Sequence, residues 1–71
     1  MMTVKDVFEA CKEQIAKGNG NKAVLISNDD EGNGFHEMFY LFTDDPKTIS
    51  DTIEYCNVPR GTDAAKVVFL G

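Results

Sequence analysis

Seventy-one residues, 42% hydrophobic and 27% charged, make one small globular domain with no room for a second and argue against disorder over most of the length. Twelve acids against seven bases give a net charge of −5. The bases Lys5, Lys12, Lys17, Lys22, Lys47, Arg60 and Lys66 are scattered singly, which disfavours the clustered cationic surface that direct nucleic-acid binding needs. No apolar run is long enough for a signal peptide or a membrane span, so a cytoplasmic protein is expected. A chain this size holds about 4–10 kcal/mol of stability at best.

Residues Val4, Val7, Phe8, Cys11 and Ile15 repeat on one face at 3.6 residues per turn and predict an N-terminal amphipathic helix. Thr3 caps it, with Asp6 completing a capping box, and Lys17 followed by Gly18-Asn19-Gly20-Asn21 stops it. Residues 22–28 read as a strand. Its consecutive Val24, Leu25 and Ile26 imply cover on both faces. Residues 35–43, rich in aromatics, read as the returning strand.

Between the two strands, Asn33-Gly34 reads as a tight-turn dipeptide, because both residues accept positive φ. A two-residue turn there sets Glu31 opposite His36 and Asp30 opposite Glu37. The second pair is like-charged and costs a few tenths to about 1 kcal/mol, so either the loop is wider or a cation sits between the acids.

Asp45 and Pro46 suit a helix start, and Ile49, Ile53 and Cys56 then share a face. The weak alternation Ile49, Asp51, Ile53, Tyr55 leaves a strand open as a second reading of residues 46–56. After a loop at Asn57–Gly61, residues 65–70 read as a last strand, apolar on both faces. The fold class is therefore α+β: an N-terminal amphipathic helix on a small, mainly antiparallel three-stranded sheet, in the order helix, strand, strand, short helix, strand. One good helix covers one sheet face only, yet every strand is apolar on both. The mismatch predicts tight two-sided packing or self-association, and a homodimer is expected.

Three consecutive acids, Asp29, Asp30 and Glu31, run into Gly32-Asn33-Gly34 after the apolar run 23–26. This segment resembles the D-E-E-G-N turn of a group of small tailed-bacteriophage proteins of unknown function, with Asp30 where the second acid is usually Glu. The resemblance covers roughly residues 3–42. It implies a phage-encoded cytoplasmic protein made during infection and implies no activity.

Five chemistries compete for the remaining residues. Asp29, Glu31, Asn33, Gly34 and Glu37 occupy the first, third, fifth, sixth and ninth places of an EF-hand-like loop, but Tyr40 stands at the twelfth, where a bidentate Glu belongs. A hairpin that gathers oxygen ligands from Asp29, Glu31, Asn33 and Glu37 keeps calcium in view, against the simpler reading of a solvated acidic turn. His36 beside Glu31 or Glu37 suits proton transfer, but no nucleophile is placed near it. Cys11 and Cys56 are read as buried, inert thiols, with no spacing for zinc and one His only. Gly18–Lys22 follows a helix and precedes a strand, the reverse of a phosphate loop. Asp29, Asp30, Glu31, Asp44, Asp45, Asp51, Glu54 and Asp63 together suit mimicry of nucleic-acid phosphates against a basic host protein. Of Phe35, Phe39, Tyr40 and Phe42, the outward set would anchor a partner.

The expectation is a non-enzymatic protein-binding or accessory protein without a cofactor. Its contact residues are Asp29, Asp30, Glu31, Asn33, Phe35, His36 and Glu37.

Overall fold

In the computed structural model, which describes all residues 1–71, helix α1 spans Val4–Ala16. Its start is the predicted capping box: Thr3 Oγ1 accepts from the Asp6 N–H at 3.2 Å, and Asp6 Oδ2 accepts from the Thr3 N–H at 2.9 Å. Its end is a Schellman motif. Gly18 adopts φ 87°, its N–H donates to Ile15 O, and the Asn19 N–H donates to Gln14 O, both at 3.0 Å. Helix α2 spans Pro46–Tyr55, which settles the helix-or-strand alternative at 46–56. Asp45 Oδ2 accepts from the Thr48 N–H and Oγ1, Pro46 occupies the first turn, and Lys47 pairs with Asp51 one turn on. Those local bonds outweigh the weak alternation.

The sheet departs from expectation. It has two strands, β1 (Leu25–Ser27) and β2 (Phe35–Glu37), not three, and they pair antiparallel with Leu25 opposite Glu37, Ile26 opposite His36 and Ser27 opposite Phe35. The expected final strand fails at its start. Asp63 Oδ1 accepts from the Ala65 N–H, and the Lys66 N–H donates to Asp63 O, so Ala64–Lys66 wind into a 3-10 turn. An Asp side chain that satisfies nearby amides competes with a ladder, and alanine gains little from a strand.

What remains of the third strand is one bridge, Thr43 to Phe69. An unbroken ladder would next join Leu41 to Gly71, but Gly71 bonds to Phe39 and Tyr40. Residues 39–43 thus carry extra chain length against 69–71, and the ladder is disrupted as at a bulge. β2 ends at Glu37 because the chain then exchanges one pairing segment, 25–27, for another, 69–71.

The helix-on-sheet packing is also corrected. α1 docks on no other element, while α2 packs against the 3-10 turn. Only the N-terminal end of α1, with Met1 and Met2, borders a shallow groove against residues 65–68. Ile49 is the one buried residue, and Ile53, Val58, Val67 and Phe69 are half-buried. The two-sided cover expected for β1 is absent, since Val24 and Leu25 are exposed. Cys11 and Cys56, expected buried, are exposed and unpaired.

The chain exposes 6255 Å², about 1,800 Å² more than a compact monomer of its mass would. Its radius of gyration, 13.9 Å, likewise exceeds the roughly 11 Å of a compact chain this long. No helix is long and apolar enough to cross a membrane.

Candidate functional site

The loop between β1 and β2 is built by its own side chains. Beyond the Ser27–Phe35 pair, the Asn28 N–H donates to Gly34 O at 2.9 Å, so residues 29–33 form the tip. The two-residue turn is thereby overturned and the wider loop holds. Glu31 is not set opposite His36, and Asp30 is not set opposite Glu37. The positive φ falls on Gly32, at 70°, and neither Asn33 nor Gly34 adopts one. A five-residue tip avoids the like-charge pair and lets Asp29 fold back onto the backbone.

That folding back organises the site. Asp29 Oδ1 accepts from the N–H groups of Glu31 and Asn33, each at 3.1 Å. The Asn33 side-chain amide donates to Asp29 Oδ2 at 3.4 Å and to Glu31 Oε2 at 3.2 Å. Ser27 Oγ donates to the Asp29 carbonyl and accepts from the Asp29 N–H. Asx and hydroxyl turns of this kind satisfy amides that no strand reaches.

The bonds favour the ionised carboxylate, so the Asp29 pKa lies below the usual aspartate value. The Asn33 N–H is the largest cause; the Asn33 amide and the N–H groups of Glu31 and Gly32 add to it and together they outweigh desolvation. A carboxyl depressed in the folded state stabilises the loop above its unfolded pKa, near pH 4, and loses that contribution as pH falls through the lower folded value. Amide exchange at Glu31 and Asn33, relative to the hairpin amides, is therefore expected to stay slow down to about pH 4 and rise only below it. A rise centred at or above the ordinary aspartate value would show that Asp29 does not hold the tip.

His36 lies half-buried on the face it shares with Ile26. Its Nδ1 is 2.6 Å from Asn28 Oδ1, and an amide oxygen only accepts, so Nδ1 is the donor of that bond. The His36 ring stacks on Phe39 with centroids 5.5 Å apart and planes 15° apart. Asn28 sits so close to Gly34 that a Cβ there would lie 2.8 Å from its Nδ2. The Phe35 ring packs under the tip, 3.8 Å from where a Cβ on Gly32 would stand, yet Phe35 remains 58% exposed.

The seven residues expected to make contact therefore fall into three groups. Asp29, Glu31 and Asn33 are joined in one hydrogen-bonded tip. Asp30 and Glu37 point to no partner within the chain. Phe35 and His36 occupy successive β2 positions, on opposite faces. Sequence reasoning missed Ser27, Asn28 and the stacking of Phe39. The spacing Ser27-Asn28-Asp29 carried the signal for the first two, since such residues at a strand end commonly turn back onto local amides.

Every ion pair in the chain joins residues three or four apart along a helix or its cap: Lys12–Glu9, Lys17–Glu13 and Lys47–Asp51. Asp29, Asp30, Glu31 and Glu37 thus have no cation beside them. No three Asp, Glu, His or Cys side chains converge into a set able to hold a metal ion. Asp29 is turned onto the loop backbone, and Glu37 stands across from Leu25 at the far end of the hairpin. Two surface grooves lie away from His36, one along residues 1–5 and 65–68, the other between Tyr40, Thr43, α2 and Leu70.

No family model, no curated protein and no solved structure matches the chain.

Proposed function

We propose that this chain is a non-enzymatic protein-binding module that presents the loop of residues 28–37 to a partner with a basic surface. One observation carries the reading: the tip is shaped in advance by Asp29 and Asn33, while its three acids, Asp29, Asp30 and Glu31, lack a cation within the chain. A preshaped loop loses little conformational freedom on binding, and uncompensated charge steers a basic partner toward it. Asp30 and Glu31 supply the charge, and the exposed ring of Phe35 supplies an apolar anchor beside them. The likeness of the turn to that of the small phage proteins supports a host-cell cytoplasm as the setting.

Substituting Asp30→Lys together with Glu31→Lys tests this. Both side chains are exposed, and Asp29 is left to hold the tip. Like charge across the contact is expected to weaken binding of the partner by on the order of tenfold or more, while the amide spectrum outside residues 29–33 stays unchanged. Undiminished affinity for that partner, measured by titration calorimetry, would remove the loop from the contact.

A further inference from the structure

We propose that two copies of this chain pair reciprocally, with α1 of each lying on the apolar arm of the other. Two largely exposed apolar surfaces support this. The first is the α1 face of Val4, Phe8 and Ile15, all more than half exposed. The second is the arm at residues 39–42, where Phe39 is 76% and Leu41 71% exposed, continued by Leu25 on the hairpin. Thirteen helical residues span about 20 Å, enough to cover the arm and the adjoining hairpin face.

Charge selects the pairing. Residues 1–22 hold four lysines against three acids, whereas residues 23–71 hold three bases against nine acids. Arm against arm would bring two acidic bodies together. α1 on the arm brings an almost neutral segment, net +1 over residues 1–22, to the acidic end of the next chain. A two-fold axis makes that contact twice and closes the assembly.

Area agrees. The excess of about 1,800 Å² per chain is more than twice the roughly 800 Å² per partner of a standard stable interface. Docking of α1 on its own arm is opposed by the helix end. The Schellman bonds, the Asn19–Gln14 side-chain bond at 2.7 Å and the following Lys22–Asn19 turn fix the chain's exit and leave α1 clear of its own hairpin.

The pairing is independent of the loop's partner, because mass in solution reads one and partner affinity the other. Light scattering of the intact chain is expected to give twice the 7.9 kDa of one copy. In an equal mixture of isotope-labelled and unlabelled chains, filtered NOEs are expected from Phe8 and Ile15 of one copy to Phe39 and Leu41 of the other. Phe8→Asp, on a helix that docks on nothing in its own chain, is expected to halve the mass without disturbing the hairpin amides. A monomeric native chain overturns the proposal. So does a dimer whose intermolecular NOEs join α1 to α1 or arm to arm, and so does a Phe8→Asp chain that remains dimeric.

Discussion

Replacing Ile49 by alanine is expected to unfold the chain at room temperature. Ile49 is 3% exposed and the only buried side chain. Truncating a buried isoleucine costs about 2–5 kcal/mol, through lost transfer free energy and the cavity left behind. A chain of this length has about 4–10 kcal/mol in total, and one with so little buried surface sits toward the bottom of that range. Neighbouring side chains cannot close the gap without exposing themselves, because Ile53, Val58, Val67 and Phe69 are already half in water. Far-ultraviolet dichroism and a urea titration provide the check. Val24→Ala, at a site 60% exposed, should change the unfolding free energy by no more than about 0.5 kcal/mol and serves as the control. Near-equal midpoints for the two variants would mean that folding does not depend on the small cluster around α2.

Gly32→Ala is expected to spoil the loop while leaving its charge intact. Gly32 holds φ 70°, a left-handed conformation that costs a residue with a Cβ about 1–2 kcal/mol. The Phe35 ring stands at ordinary contact distance from the new methyl group, so the cost is one of backbone, not of collision. Relief of that strain moves the tip and pulls the Glu31 and Asn33 amides off Asp29. Binding of the basic partner should then weaken although every acid is still present. Gly61→Ala separates this from a general loss of stability. Gly61 has φ 81° with nothing near its missing Cβ, so its variant carries a similar backbone cost far from the loop. Equal affinity for the partner in the two variants would mean that loop shape is irrelevant to recognition.

The two helices were legible in the residues because their determinants are local. Thr3 with Asp6, Gly18 after Lys17, and Asp45 with Pro46 each act within four or five residues, and hydrogen bonds of that reach form whatever the rest of the chain does. The Asp29 turn was half legible. Its acids and glycines marked a loop, but the width depended on whether Asp29 would satisfy the Glu31 and Asn33 amides or leave them to a tighter hairpin. The metal-ligand spacing was legible as well, but spacing in a sequence says nothing about convergence, and here one carboxylate turns inward while another stands at the far end of the hairpin.

Pairing between distant segments was not legible. Residues 65–70 have a strand's composition, yet Asp63 winds their first turn, and the surplus residues in 39–43 reduce the pairing with 69–71 to one bridge. Burial failed for the same reason. An apolar periodicity names a face that seeks cover without naming what covers it, and the interior it implies for Cys11 and the strand residues is one the chain does not build. Local chemistry was enough to start and stop helices. Register, strand number and the covering of apolar faces depend on which far-apart segments meet, a competition settled by summed contacts across the whole chain.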